Sequence, residues 1–143
     1  MPGTTRCLLW ALPLGLSAGC LPFGDDEIVT DPKKVGAYAR IRIPASATGL
    51  IARTEAGIDR LTYGRFDIPA ADLPDVLASL PSDHKTGASG VFVHKFSEPW
   101  WRPEEIADPK SAEASAPGFA WKLLYGDSGT PGTVTVYFVH FEL

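Results

Sequence analysis

Along the chain, apolar residues fall into short runs separated by turn-forming residues, a rhythm that predicts several strands and one helix. Residues 36–43 alternate, with Ala37, Ala39, Ile41 and Ile43 on one side and Tyr38, Arg40 and Arg42 on the other. That pattern predicts a strand with one face in water, ended by Pro44. Residues 50–55 and 61–68 flank Ala56-Gly57-Ile58-Asp59 and predict a hairpin. In its second arm the apolar phase shifts from Leu61/Tyr63 to Phe66/Ile68 across Gly64-Arg65, which predicts a bulge there.

Leu73, Val76, Leu77 and Leu80 stand at i, i+3, i+4 and i+7, the stripe of an amphipathic helix, with Asp72 as its N-cap, Pro74 in its first turn and Pro81 beyond its end. Three further strands are predicted at 90–96, 119–125 and 133–141, each rich in aromatic and β-branched residues. The last is apolar on both faces, with Val134, Val136 and Phe138 on one and Tyr137, Val139 and Phe141 on the other, so it belongs inside a covered sheet. Residues 99–118 read as a loop with one helical turn at 103–106. The expected fold is α+β: a mainly antiparallel sheet of five or six strands with one helix packed on a face.

Composition narrows the function classes. The 143 residues are 45% hydrophobic and 21% charged with a net charge of −4, which describes one ordinary globular domain. Acidic and basic residues are interspersed and the balance is acidic, so a phosphate backbone is not an expected partner and nucleic acid is excluded.

The first twenty residues carry an address. Arg6 and the amino terminus make a positive region, Cys7-Leu8-Leu9-Trp10-Ala11-Leu12-Pro13-Leu14-Gly15-Leu16 is uncharged and apolar, and Ser17-Ala18-Gly19 are small residues before Cys20. Ten residues at about 1.5 Å each cover about 15 Å, half of a hydrocarbon core, so this is a secretory signal and not a membrane span. Leu16-Ser17-Ala18-Gly19-Cys20 resembles the lipobox of bacterial lipoproteins, with Ser17 where that pattern most often has Leu. The resemblance implies thioether attachment of a diacylglycerol to Cys20, cleavage after Gly19 and acylation of the new amino terminus. Two or three acyl chains hold a protein stably on a membrane, so membrane lipid is the expected partner of Cys20. The implied location is the cell membrane or outer membrane, facing the periplasm or the exterior. The organisation expected is a signal peptide over 1–19, a flexible tether over 20–35 and a single domain over 36–143. Cys20 is the only cysteine of such a mature chain, so no disulfide, thiolate metal site or thiol nucleophile is expected.

Three constellations carry candidate chemistry. Gly126-Asp127-Ser128-Gly129 matches the nucleophile loop of trypsin-like proteases over four residues, but the chain is too short for two barrels, and the same four residues make an ordinary turn. The tripeptide Phe-Val-His occurs at 92–94 and 138–140, and Glu142 shares a face with His140, so two paired strands could assemble His94, His140 and Glu142 as metal ligands. Two packed strand histidines are the simpler reading, and no metal or cofactor is expected. Trp100, Trp101 and Arg102, fenced by Pro99 and Pro103, form the most unusual segment. Adjacent residues of extended chain point to opposite sides, so one Trp can cover the core while the other, with Arg102, offers a binding contact. The alternative is that both tryptophans plug a loop. The segment also resembles one in small bacterial lipoproteins with short α+β domains, a similarity that implies no activity. The expected function is non-catalytic: a binding, inhibitory or immunity-type module with a protein partner in the envelope. A small envelope hydrolase and a purely structural lipoprotein are the alternatives.

Overall fold

The structure, a computed structural model, describes residues 26–87 and 94–143. In chain order these form β1 (Glu27–Val29), α1 (Pro32–Ala39), β2 (Thr48–Glu55), β3 (Arg60–Pro69), a 3-10 turn (Ala70–Asp72) leading into α2 (Leu73–Ala78), β4 (Lys85–Gly87), a second 3-10 turn (Pro103–Glu105), β5 (Ala107–Ala116), β6 (Phe119–Asp127) and β7 (Thr133–Glu142). All seven strands join one sheet in the order β1-β2-β3-β7-β6-β5-β4, and every neighbouring pair is antiparallel. The α+β class and the antiparallel sheet are as expected, with seven strands in place of five or six and two short helices in place of one.

Strand β7 lies at the centre of the sheet, as its two apolar faces predict, and six consecutive residues from Thr135 to His140 are buried. On one face Phe66, Ile68, Val136, Phe138, Trp121 and Leu123 pack against Val35 and Ala39 of α1 and Val76 of α2. On the other face Tyr63, Leu124, Tyr137 and Val139 pack against Trp101 and Ile106. One face is thus covered by helices and the other by the segment 94–106, which runs across it as a strap.

Four expectations are corrected. The predicted strand at 36–43 is instead the second half of α1 and the chain that follows it. The helix starts earlier, with Asp31 accepting from the Lys34 amide at 2.8 Å and Pro32 in the first turn, and it buries Val35 and Ala39 one turn apart. Its start signals lie within residues 20–35, and of the four apolar positions in the alternation Ala37 and Ala39 belong to the helix while Ile41 and Ile43 follow its end, so one alternating run spans two kinds of local structure. The tether itself is folded from Glu27 onward, because β1 pairs with β2. The bulge predicted at Gly64-Arg65 is absent: β3 pairs with β7 without interruption from Arg60 to Pro69, and the irregularity falls between Thr48 and Ile51. The apparent change of phase arises because both faces of β3 are covered, Tyr63 by the strap and Phe66 and Ile68 by the helices. Finally, residues 107–116 are a strand and not a loop. Their alternation is faint because the buried side is alanine at 112, 114 and 116.

Of the strand expected at 90–96, residues 90–93 lie outside the described residues, and residues 94–96 carry no regular structure. The helical stripe at 73–80 is as expected, although the Asp72 carboxylate caps no helix amide and accepts instead from the Ser46 hydroxyl.

Candidate functional site

The strap holds the aromatic pair singled out in the sequence. Trp101 is only 5% exposed and meets Tyr63, Phe96 and Tyr137 edge to face, with ring centroids 5.6, 4.9 and 5.2 Å away. Trp100 is partly covered and stacks toward Tyr63 at 5.8 Å, while Phe96 lies parallel on the same tyrosine at 3.7 Å. Arg102 is exposed, donates to the Pro99 carbonyl at 3.0 Å and pairs with Glu105 at 3.1 Å. Both rings pack toward the same aromatic cluster, Trp101 inside it and Trp100 at its margin, carried by a turn in which the Trp101 amide donates to the Glu98 carbonyl at 3.0 Å, so the opposite-facing pair of an extended chain does not form and the segment serves as a plug over the second face.

A polar clasp fastens the strap. Arg53 of β2 donates to Glu98 at 2.7 Å and also reaches Asp26 and Glu55. The Tyr63 hydroxyl lies 3.3 Å from Glu55 and 3.4 Å from Glu98. Burial, followed by those two carboxylates, raises the Tyr63 phenol well above its ordinary value, so at neutral pH it is a hydrogen-bond donor and not a base. Nearby, Asp67 accepts from Arg65 and from the Thr135 hydroxyl, and Arg65 lies 5.5 Å from the ring of Tyr137.

A cleft of about 410 Å³ opens on the helix side at the far end of the sheet. Leu73, Tyr125 and Val134 supply apolar wall, and Asp108, Lys110 and Asp127 supply charged rim. Its shape depends on the start of β5, where the register shifts between Ala107 and Lys110 and Asp108 holds φ 47°. Aspartate is one of the few residues besides glycine that adopts this left-handed conformation, and bulges of this kind redirect side chains at sheet ends. Gly126 makes the arrangement possible, because a Cβ there would collide with Ile106 and crowd the Ala107 carbonyl. Its volume falls in the range of small-ligand sites, but the hollow is open to solvent rather than enclosed, so it suits a group or partner segment laid into its mouth. Nothing in the sequence pattern announces this cleft, since Asp108 and Lys110 fall in the 99–118 stretch that reads as loop and Asp127 in a motif that reads as a turn; the Asp108-Pro109 dipeptide, a turn signal, is the available hint.

Ser128 lies in the β6–β7 turn beside the cleft. Asp127 accepts from the Gly129 amide at 2.8 Å, and the Ser128 hydroxyl accepts from the Thr130 amide at 3.2 Å, the pattern of a side-chain-stabilised turn. His140 stands seven residues along β7 from Thr133, about 23 Å away at strand spacing, so the two do not form a nucleophile–base pair.

The histidines are separated as well. His140 is fully buried on the helix face, between Phe119 and Trp121 at 5.9 and 5.1 Å, and neither ring nitrogen has a hydrogen-bond partner. Burial lowers its pKa to about 4, so it is neutral in ordinary conditions. His94 stacks on Phe96 and contacts Phe141 on the strap face. The sheet stands between the two imidazoles, and among the described residues no group of three or more metal-ligating side chains converges. Cys20 lies outside the described residues. No helix among the described residues is long and apolar enough to cross a membrane.

No protein-family model matches the chain, and neither the curated proteins nor the solved structures contain a match to it.

Proposed function

We propose that the protein is a lipid-anchored, non-catalytic binding module of the cell envelope, held by acylated Cys20 and of the inhibitory or immunity type. The cleft supports the binding part of this reading, with about 410 Å³, apolar walls at Leu73 and Val134, a phenol at Tyr125 and a rim of Asp108, Lys110 and Asp127, while the anchor is supported by the resemblance of Leu16-Ser17-Ala18-Gly19-Cys20 to a lipobox. Such a site suits a ligand or partner segment that buries an apolar group and is oriented by polar contacts at the mouth. The exposed Arg102 and half-covered Trp100 offer a second, flatter contact, but their neighbours are already engaged in closing the core.

Two measurements test the proposal. Cys20→Ala should block lipid-dependent processing and move the protein out of the detergent phase; unchanged partitioning would defeat the anchor. A photoreactive benzoylphenylalanine placed at Lys110 should form an adduct in intact membranes that disappears when Ala70→Trp fills the cleft. The same group at Arg102 should give no adduct. Labelling from Arg102 that is indifferent to the filled cleft would move the binding site to the strap.

A further inference from the structure

The antiparallel register divides the sheet into two ends. At one end lie the β2–β3 turn at 56–59, the carboxyl terminus and the β5–β6 turn: Glu55 pairs with Leu61, Arg60 and Phe119 both pair with Glu142, and the Leu143 amide donates to the Gly118 carbonyl at 2.9 Å. The chain enters β1 at this same end, where Glu27 pairs with Thr54. The cleft lies at the other end, formed by Ala70, Ala107, Asp127 and Thr133. β7 runs between the two, and its nine residue steps from Thr133 to Glu142 at about 3.4 Å each separate them by about 30 Å.

The large apolar side chains exposed among the described residues are Ile28, Ile58 and Leu143 at 48%, 100% and 73%. Ile58 is in the β2–β3 turn and Leu143 follows the last residue of β7, so both stand at the end where the chain enters. Ile28 is the second residue of β1, on the outer edge of the sheet. Scattered exposed apolar residues need no explanation, but grouping at one end of a sheet is a surface property. This end is acidic on balance, with Glu55, Asp59 and Glu142 around Arg60, which lies 3.9 Å from Glu142, so it is not a basic patch for anionic headgroups and a zwitterionic lipid surface is the one it can approach.

Chain length selects the occupant. Seven residue steps connect Cys20 to Glu27, at most about 25 Å when fully extended. A folded domain of this size is wider than that span, so an acylated Cys20 would bring the end at Glu27 to the bilayer and keep the opposite end away. We infer that the sheet end carrying Ile58 and Leu143 rests on the lipid surface with Ile58 inserted at the headgroup boundary, and that the cleft is thereby presented about 30 Å out into the aqueous compartment. The inference rests on the proposed acylation of Cys20. A single isoleucine contributes too little to bind membranes alone, but on a tethered domain it is sufficient to bias orientation.

The test uses the full-length chain, processed and acylated, in phosphatidylcholine vesicles. Ile58→Cys provides a thiol for an environment-sensitive fluorophore at a fully exposed turn, and Thr130→Cys provides the same at the β6–β7 turn by the cleft. The probe at 58 should shift to the blue on vesicle binding and be quenched several-fold more strongly by spin-labelled lipid than the probe at 130. Vesicle-bound protein with the two probes equally accessible to water would overturn the inference while leaving the anchor intact. A wild-type chain that stays soluble would remove the anchor, and the inference with it. A blue shift at 58 before vesicles are added, accompanied by a dimer mass, would assign the patch to a second copy of the chain and also overturn it.

Discussion

The ring of Phe138 closes over Gly64: a Cβ built on that glycine would stand 2.7 Å from Phe138 Cζ, 2.7 Å from the Ala52 side chain and 2.6 Å from the Ile51 carbonyl oxygen. Gly64 is the direct cross-strand partner of both Ala52 and Phe138, so three adjacent strands share this point. Two of the three obstacles belong to backbone or to a side chain with no freedom to withdraw. Gly64→Ala should therefore destabilise the fold by about 1 to 3 kcal/mol, the usual cost of overpacking. Urea unfolding checks this, and an unchanged midpoint would mean that the sheet separates there without penalty.

His140 makes stability depend on pH. Its pKa is about 4 in the fold against an ordinary 6.5, with burial as the main cause, the Arg40 charge acting in the same direction and Glu142 opposing it. Between those values the unfolded chain binds a proton that the folded chain refuses, so stability rises with pH through this window. As pH falls from about 6.5 to about 4 the loss should reach the order of 3 kcal/mol. His140→Leu should flatten the dependence over that interval, measured as denaturant midpoints at successive pH values. A wild-type curve as flat as the variant's would show that the imidazole is hydrated or bonded in solution.

The tryptophans should respond unequally. Trp101→Ala removes a buried ring and should cost about 3 to 5 kcal/mol. Trp100→Ala should cost clearly less, because its ring is only partly covered, and Arg102→Ala should leave the melting temperature nearly unchanged. Thermal melts of the three variants provide the comparison; equal losses for both tryptophans would mean that the strap packs as one unit.

Ser128 is read as a turn residue. Ser128→Ala should leave folding close to wild type, since the Asp127 side chain still holds the Gly129 amide. Labelling of the wild type by a fluorophosphonate, lost in the variant, would instead restore the hydrolase alternative.

The sequence by itself determined the elements that local chemistry encodes. The two apolar faces of β7 announce a central strand, the spacing of Leu73, Val76, Leu77 and Leu80 announces α2, and Gly126-Asp127-Ser128-Gly129 announces a turn. Tertiary structure decided whatever depends on covering both sides of a sheet. The alternation in β3 is ambiguous until the strap is seen over Tyr63 and the helices over Phe66. Ala107–Ala116 has little intrinsic strand preference and becomes a strand because it pairs along β6. α1 is obscured because its cap, Asp31-Pro32, opens a helix of only eight residues whose Ala37 and Ala39 run on into Ile41 and Ile43 beyond its end with the two-residue spacing of a strand. The cleft was the least legible feature, since its walls come from four segments that meet only in the fold. Periodicity describes what each residue's nearest neighbours along the chain allow; a cavity is defined by residues far apart in sequence that fail to touch.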